Sequence, residues 1–131
     1  MTDFARTSHT ILVADDETPL RKALALALTH AGYTVVEAAN GQDAITAANA
    51  QRPSLVILDV FMPGMDGRAV LRELRSREDM MHTPVILLTN MSDISYVAEA
   101  TAYPGVDYVV KSDWDIADIV KKVDERLTPQ T

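Results

Sequence analysis

Five short apolar runs recur along the chain, separated by stretches long enough to be helices. The runs are "TILVAD" (10–15), "YTVVEA" (33–38), "SLVILD" (54–59), "PVILLT" (84–89) and "DYVVK" (107–111). Between them lie "PLRKALALALTHAG" (19–32), "GQDAITAANAQ" (41–51), "GRAVLRELRS" (67–76) and "SDISYVAEATAY" (92–103), and "DWDIADIVKKVDERL" (113–127) closes the series. Strands alternating with helices predict βαβ units and a parallel sheet covered on both faces. The near-continuous apolar character of the runs suits strands buried on both sides. Crossovers in such a sheet are right-handed. An α/β fold with five strands and five helices is expected.

The helical stretches carry local signals of their own. Pro19 suits a first helical position and Gly32 a C-terminal stop. Leu20, Leu24 and Leu28 share one helical face. Val70, Leu71 and Leu74 form the inward side of the third helix, and Ile116, Ile119, Val120, Val123 and Leu127 the stripe of the last. Pro104-Gly105 stops the fourth. The first turns of the last helix carry acids and its bases come later, as the helix dipole prefers.

The 131 residues fit one domain. A domain of this size buries roughly 68% of the surface its unfolded chain exposes. With no cysteine, it has neither disulfides nor a thiolate metal site. The net charge of −7 argues against wrapping nucleic acid, whose phosphates it would repel. It is compatible with a cation site or a basic partner. Residues 1–10 lack the apolar stretch of a signal peptide. No apolar run approaches the ~20 residues of a membrane span. A cytoplasmic protein with no membrane contact is expected: residues 1–9 a flexible tail, 10–128 the domain, 129–131 a second tail. His9, His30 and His82 are scattered and take no role.

The ends of the strands are the informative positions. In an open parallel sheet, ligands bind beyond the carboxyl ends of the strands. Strand one ends in Asp15-Asp16, strand three in Asp59, strand four in Thr89 and strand five in Lys111. Three carboxylates on one rim would repel each other and raise their pKa values unless a cation lay among them. Oxygen ligands in small number describe Mg²⁺. Lys111 adds a point charge for an anion and Thr89 a hydroxyl donor. A carboxylate so placed can attack phosphorus and form an aspartyl-phosphate. Asp59 is the candidate nucleophile, with Lys111 and the metal offsetting charge on the phosphoryl group. Each feature alone has a plainer reading as a turn, a cap or an ordinary strand end; their joint occurrence at one edge is what carries weight.

The motifs "ILVADDE" (11–17), "NGQDA" (40–44), "LVILDVFMPGMDG" (55–67), "PVILLT" (84–89) and "DYVVK" (107–111) resemble the receiver domain of bacterial two-component response regulators. The resemblance implies a flavodoxin-like, doubly wound sheet of order 2-1-3-4-5. It implies that Asp59, exposed at the rim, accepts phosphate from a phosphohistidine on a sensor histidine kinase or a histidine phosphotransfer protein. Asp16, Asp59 and the backbone carbonyl of Phe61 would hold Mg²⁺, with Asp15 acting through water. Lys111 and Thr89 would contact the phosphoryl oxygens, and Thr89 with Tyr108 would form the switch pair. No substrate would be turned over beyond self-phosphorylation and slow autodephosphorylation. Output would pass to a downstream protein through the face of helix 92–103, strand 107–111 and helix 113–127. Trp114 would be either a half-buried staple there or an anchor for a partner or for self-association, the latter giving a phosphorylation-dependent homodimer.

Three positions depart from the family pattern. Ser112 follows Lys111 where proline is usual, so either a trans bond or a cis bond held under strain is expected. "GVDY" is one residue shorter than the usual Gly-Ala-Asp-Asp-Tyr. Asn90 follows Thr89 in place of Ala or Gly. In the family, the residues two after the aspartate and two after the threonine flank the path of attacking water. Here they are Phe61 and Met91, with Asn90 beside them, so a long-lived aspartyl-phosphate is expected. A phosphorylation-independent pseudo-receiver is disfavoured because Asp15, Asp16, Asp59, Thr89 and Lys111 are all present. A haloacid-dehalogenase-type phosphatase wants its two acids spaced differently. A flavodoxin is disfavoured by the acidic, glycine-free loop at 15–18, which would repel a phosphate.

Overall fold

The computed structural model describes residues 6–90, Ser95, Ala98 and 102–128. In chain order the elements are β1 (Thr10–Ala14), α1 (Thr18–His30), β2 (Thr34–Ala38), α2 (Gly41–Gln51), β3 (Leu55–Asp59), α3 (Gly67–Arg75), β4 (Val85–Thr89), β5 (Val106–Val110) and α4 (Ile116–Leu127). The strands form one sheet of order β2-β1-β3-β4-β5, with every pair parallel. The parallel sheet is the one expected from the alternating pattern, and its doubly wound, flavodoxin-like order is the one the family resemblance implies. Four helices lie among the described residues. The expected helix 92–103 falls outside them apart from Ser95, Ala98, Ala102 and Tyr103.

The two-residue period of the strands divides the core into two layers. Leu12, Val56, Leu58, Val85 and Leu87 face one side, packed on Ala44 and Ala48 of α2 and Val70, Leu71 and Leu74 of α3. Ile11, Val13, Leu55, Ile57, Ile86, Leu88 and Val109 face the other, packed on Leu24 and Leu28 of α1 and Ile119 and Val123 of α4. Each fully buried Leu or Ile side chain contributes about 1.5–3 kcal/mol of transfer free energy. Every residue of β3 and β4 is buried, as the centre of a two-sided sheet requires. Among the described residues no helix is long and apolar enough to cross a membrane.

Helix ends follow local chemistry. Pro19 stands in the first turn of α1. Gly32 follows that helix with φ 110°, a conformation that glycine adopts without steric cost. Asn40 and Asp66 cap α2 and α3 by accepting from the backbone N–H of Asp43 and Ala69. The last helix begins at Ile116, where its apolar stripe begins, rather than at residue 113 as expected. Asp115 caps it and forms a capping box with Asp118, so residues 113 and 114 precede the helix.

The expected N-terminal tail is anchored at its inner end. Arg6 makes two hydrogen bonds to the carboxylate of Asp124, at 3.0 and 3.3 Å. Tyr33, buried at the start of β2, donates its hydroxyl to the same carboxylate. His9, given no role from the sequence, pairs through Nδ1 with Ser54 Oγ at 2.9 Å. No cis peptide occurs among the described residues, so of the two expected alternatives Lys111–Ser112 takes the trans form. The shortened connection into β5 is held by Arg75, which donates to the carbonyls of Met80 and Pro104, both at 3.1 Å.

Candidate functional site

Asp59 is the last residue of β3, a central strand flanked by β1 and β4. The ladder continues past it, because Val60 N–H donates to the Leu88 carbonyl at 3.0 Å. The loop then turns back at Gly67, whose N–H donates to the Val60 carbonyl at 2.7 Å. A β-carbon at Gly67 would lie 2.3 Å from the Asp59 carbonyl oxygen. This close approach explains why the motif ends in glycine: any side chain there would displace the backbone that carries Asp59.

Asp15 follows β1 and its N–H donates to the Ala38 carbonyl at 3.0 Å. Its Oδ1 accepts from the Glu17 N–H at 2.8 Å. Lys111 follows β5, with its N–H bonded to the Thr89 carbonyl at 2.8 Å. Asp15, Asp59 and Lys111 each continue the alternating row that lower in the sheet faces α1 and α4. Their side chains meet. Lys111 Nζ lies 3.3 Å from Asp59 Oδ2, 3.3 Å from Asp15 Oδ2 and 2.8 Å from Glu17 Oε2. One carboxylate oxygen from each of Asp15, Asp16 and Asp59 lies within 4.8 Å of the others. Thr89 is buried at the end of β4, and its hydroxyl donates to the Asn90 carbonyl at 3.1 Å. Tyr108 is 45% exposed on β5.

One expectation is corrected. Asp59 is at the rim but is not exposed: only 6% of its surface reaches solvent. The Lys111 ammonium and the backbone N–H of Phe61, 3.4 Å from Asp59 Oδ1, lie against its carboxylate. Asp15 is fully buried and Asp16 exposed. Phe61 is 40% exposed and Asn90 exposed, while Met91 lies outside the described residues. Glu17 is the residue that sequence reasoning missed. Its signal was present as the third acid of "ADDE", but its partner is 94 residues away.

The electrostatics follow from this crowding. Burial, and then the like charge of Asp15, push the Asp59 carboxyl from its ordinary 3.8 up to about 7, against the pull of Lys111. Burial works against the charge of Lys111, but the hydrogen bond it donates to Glu17 and the charges of Asp59 and Asp15 outweigh it, and its pKa is raised. Asp15 Oδ2 is buried and accepts no hydrogen bond, although Lys111 faces it as an ion pair. Three converging carboxylates, one with an unsatisfied buried oxygen, form a hard-oxygen donor set that suits a small divalent cation.

Beside this site, Trp114 is 38% exposed, and the Lys122 ammonium lies 5.3 Å from its ring centroid. With Leu20, Leu88, Lys111, Ile116 and Ile119 it borders a cavity of about 330 Å³.

Residues 11–124 match the response regulator receiver domain family. The chain is 43% identical over 101 residues to a probable transcriptional regulator, ycf27, of Cyanophora paradoxa, covering 77% of this chain and 41% of that protein. It is 40% identical over 101 residues to the transcriptional regulatory protein AfsQ1 of Streptomyces coelicolor, covering 77% and 44%. It thus spans about two fifths of the length of these curated relatives. Among solved structures, a putative response regulator from Chloroflexus aurantiacus superposes with a TM-score of 0.82 at 31% identity, covering 91% of this chain and 97% of that one. The chemotaxis protein CheY4 of Vibrio cholerae does so with 0.81 at 27% identity, covering 89% and 97%. The net charge bears on these 131 residues alone, not on the further length of relatives named for transcription.

Proposed function

The chain belongs to the response regulator receiver domain family, and from that premise we propose that it carries a phosphoryl group on Asp59. The observation that supports this reading is the convergence of Asp15, Asp16, Asp59 and Lys111, from three strand ends, within a few ångströms. An oxygen of Asp59 attacks phosphorus; the bond from phosphorus to the donor's histidine nitrogen breaks, and that nitrogen keeps the electron pair. Lys111 stands where it can hold a phosphoryl oxygen, and the Thr89 hydroxyl leaves the Asn90 carbonyl to donate to another. Asp16, Asp59 and the Phe61 carbonyl would hold Mg²⁺, with Asp15 acting through water, and the ion would screen charge among the carboxylates and the phosphoryl oxygens. Tyr108, exposed on the same strand that delivers Lys111, is the partner of Thr89 in transmitting the change to the β5–α4 face. The chain turns over no other substrate in this reading. Its donor is a sensor histidine kinase or a phosphotransfer protein, and its output a protein contact.

Intact mass measured after incubation with acetyl phosphate and Mg²⁺ tests this. Wild type is expected to gain one phosphoryl group and Asp59→Asn none. An adduct of equal yield on Asp59→Asn would overturn the assignment.

A further inference from the structure

Glu17 occupies the N-cap position of α1, with extended backbone angles, yet its side chain makes no capping hydrogen bond. Residues at this position ordinarily use a short side chain to accept from the first helical N–H groups. The Glu17 carboxylate reaches instead to Lys111, at 2.8 Å, the shortest of the three contacts of that ammonium. The three carboxylates differ in setting. Those of Asp15 and Asp59 are 0% and 8% exposed, and that of Glu17 is 58% exposed. Lys111 is thus held from below by two buried acids and from the solvent side by one exposed one. Lys111 therefore bridges Glu17 and Asp59.

An ammonium has three donor hydrogens and no acceptor. Two of those of Lys111 serve Glu17 and Asp59. A phosphoryl group on Asp59 brings new anionic oxygens to the same ammonium, and the Glu17 carboxylate both competes for it and repels them. On the functional reading given above, we propose that Glu17 is a positioning residue: it holds Lys111 in a resting place beside Asp59 and releases it as the phosphoryl group arrives. Glu17 thereby slows loading by anionic donors. Because the side chain caps nothing, neutralising it leaves α1 intact.

Glu17→Gln keeps the shape and an acceptor but removes the charge. Asp113→Asn removes the same charge from an exposed residue close to Lys111 in sequence, and serves as the control for net charge. With acetyl phosphate and Mg²⁺, Glu17→Gln is expected to load Asp59 about two- to fivefold faster than wild type, the range set by one surface ion pair. Asp113→Asn should load at the wild-type rate. A second readout needs neither metal nor phosphate. The ¹⁵N resonance of the Lys111 ammonium in the metal-free protein should move in Glu17→Gln and stay in place in Asp113→Asn. Equal loading of wild type and Glu17→Gln, equal acceleration by Asp113→Asn, or an unmoved Lys111 resonance would each overturn the proposal alone. Absence of any phosphoryl adduct on wild type would overturn the functional reading, and this proposal with it.

Discussion

Lys111 Nζ lies 3.3 Å from Oδ2 of Asp59, a residue 52 positions earlier in the chain. The contact is incomplete compensation. Lys111 is shared with Glu17 and Asp15, and Asp59 remains a buried acid beside another acid, with its pKa pushed up to about 7. An acid whose pKa is raised on folding binds more protons in the native state than in the unfolded one. Its contribution to stability is therefore present at low pH and lost as pH rises from its ordinary 3.8 toward 7. In EDTA, the stability of wild type relative to Asp59→Asn should fall across that window. Thermal melts of both proteins at stepped pH measure it; a constant difference would contradict the raised pKa.

Mg²⁺ should stabilise the folded chain chiefly by relieving repulsion among Asp15, Asp16 and Asp59. At tenfold excess over Kd, the gain is about 1.4 kcal/mol by mass action. Asp16→Ala should lose most of that gain and be no less stable than wild type in EDTA, since Asp16 is exposed and carries a like charge into the cluster. Melts with and without Mg²⁺ decide the matter: equal gains in the two proteins would remove Asp16 from the metal site.

The aspartyl-phosphate should persist for many minutes or longer. Hydrolysis needs a water in line behind phosphorus, and Phe61, two residues after Asp59, is large and apolar. Asn90 opposes this, since its amide can orient a water, but the steric effect is expected to dominate. Phe61→Asn should shorten the lifetime by about tenfold, the equivalent of ~1.4 kcal/mol of barrier. Loss of radiolabel from purified phosphoprotein in Mg²⁺ reads this directly. A wild-type half-life of seconds would show that no such gate exists.

Asp124 accepts from both Arg6 and Tyr33, joining the N-terminal segment and the start of β2 to α4. Burial, and then the bond to Asp124, hold the Tyr33 hydroxyl above the usual tyrosine range. Asp124→Ala leaves that buried hydroxyl without this acceptor and should cost about 1–3 kcal/mol in urea denaturation. Asp124→Asn, which retains an acceptor, should cost less. Equal stability of wild type and Asp124→Ala would show that the anchor adds nothing.

Sequence alone determined the layers and the rim. Apolar runs of strand length and helical stripes such as Leu24 and Leu28 are local patterns, and parallel topology follows from them by general rules of packing and handedness. Asp15, Asp16, Asp59, Thr89 and Lys111 were legible because strand ends in such a sheet converge. Tertiary structure alone decided who touches whom. The lysine's shortest contact goes to Glu17 rather than to either buried acid, and Asp59 is buried at the rim rather than exposed on it. The supposed tail is fastened through Arg6 to a carboxylate 118 residues away. These relationships depend on side-chain reach across elements distant in sequence, and on how much water the packed loops exclude. Neither quantity has a local signature in the order of residues.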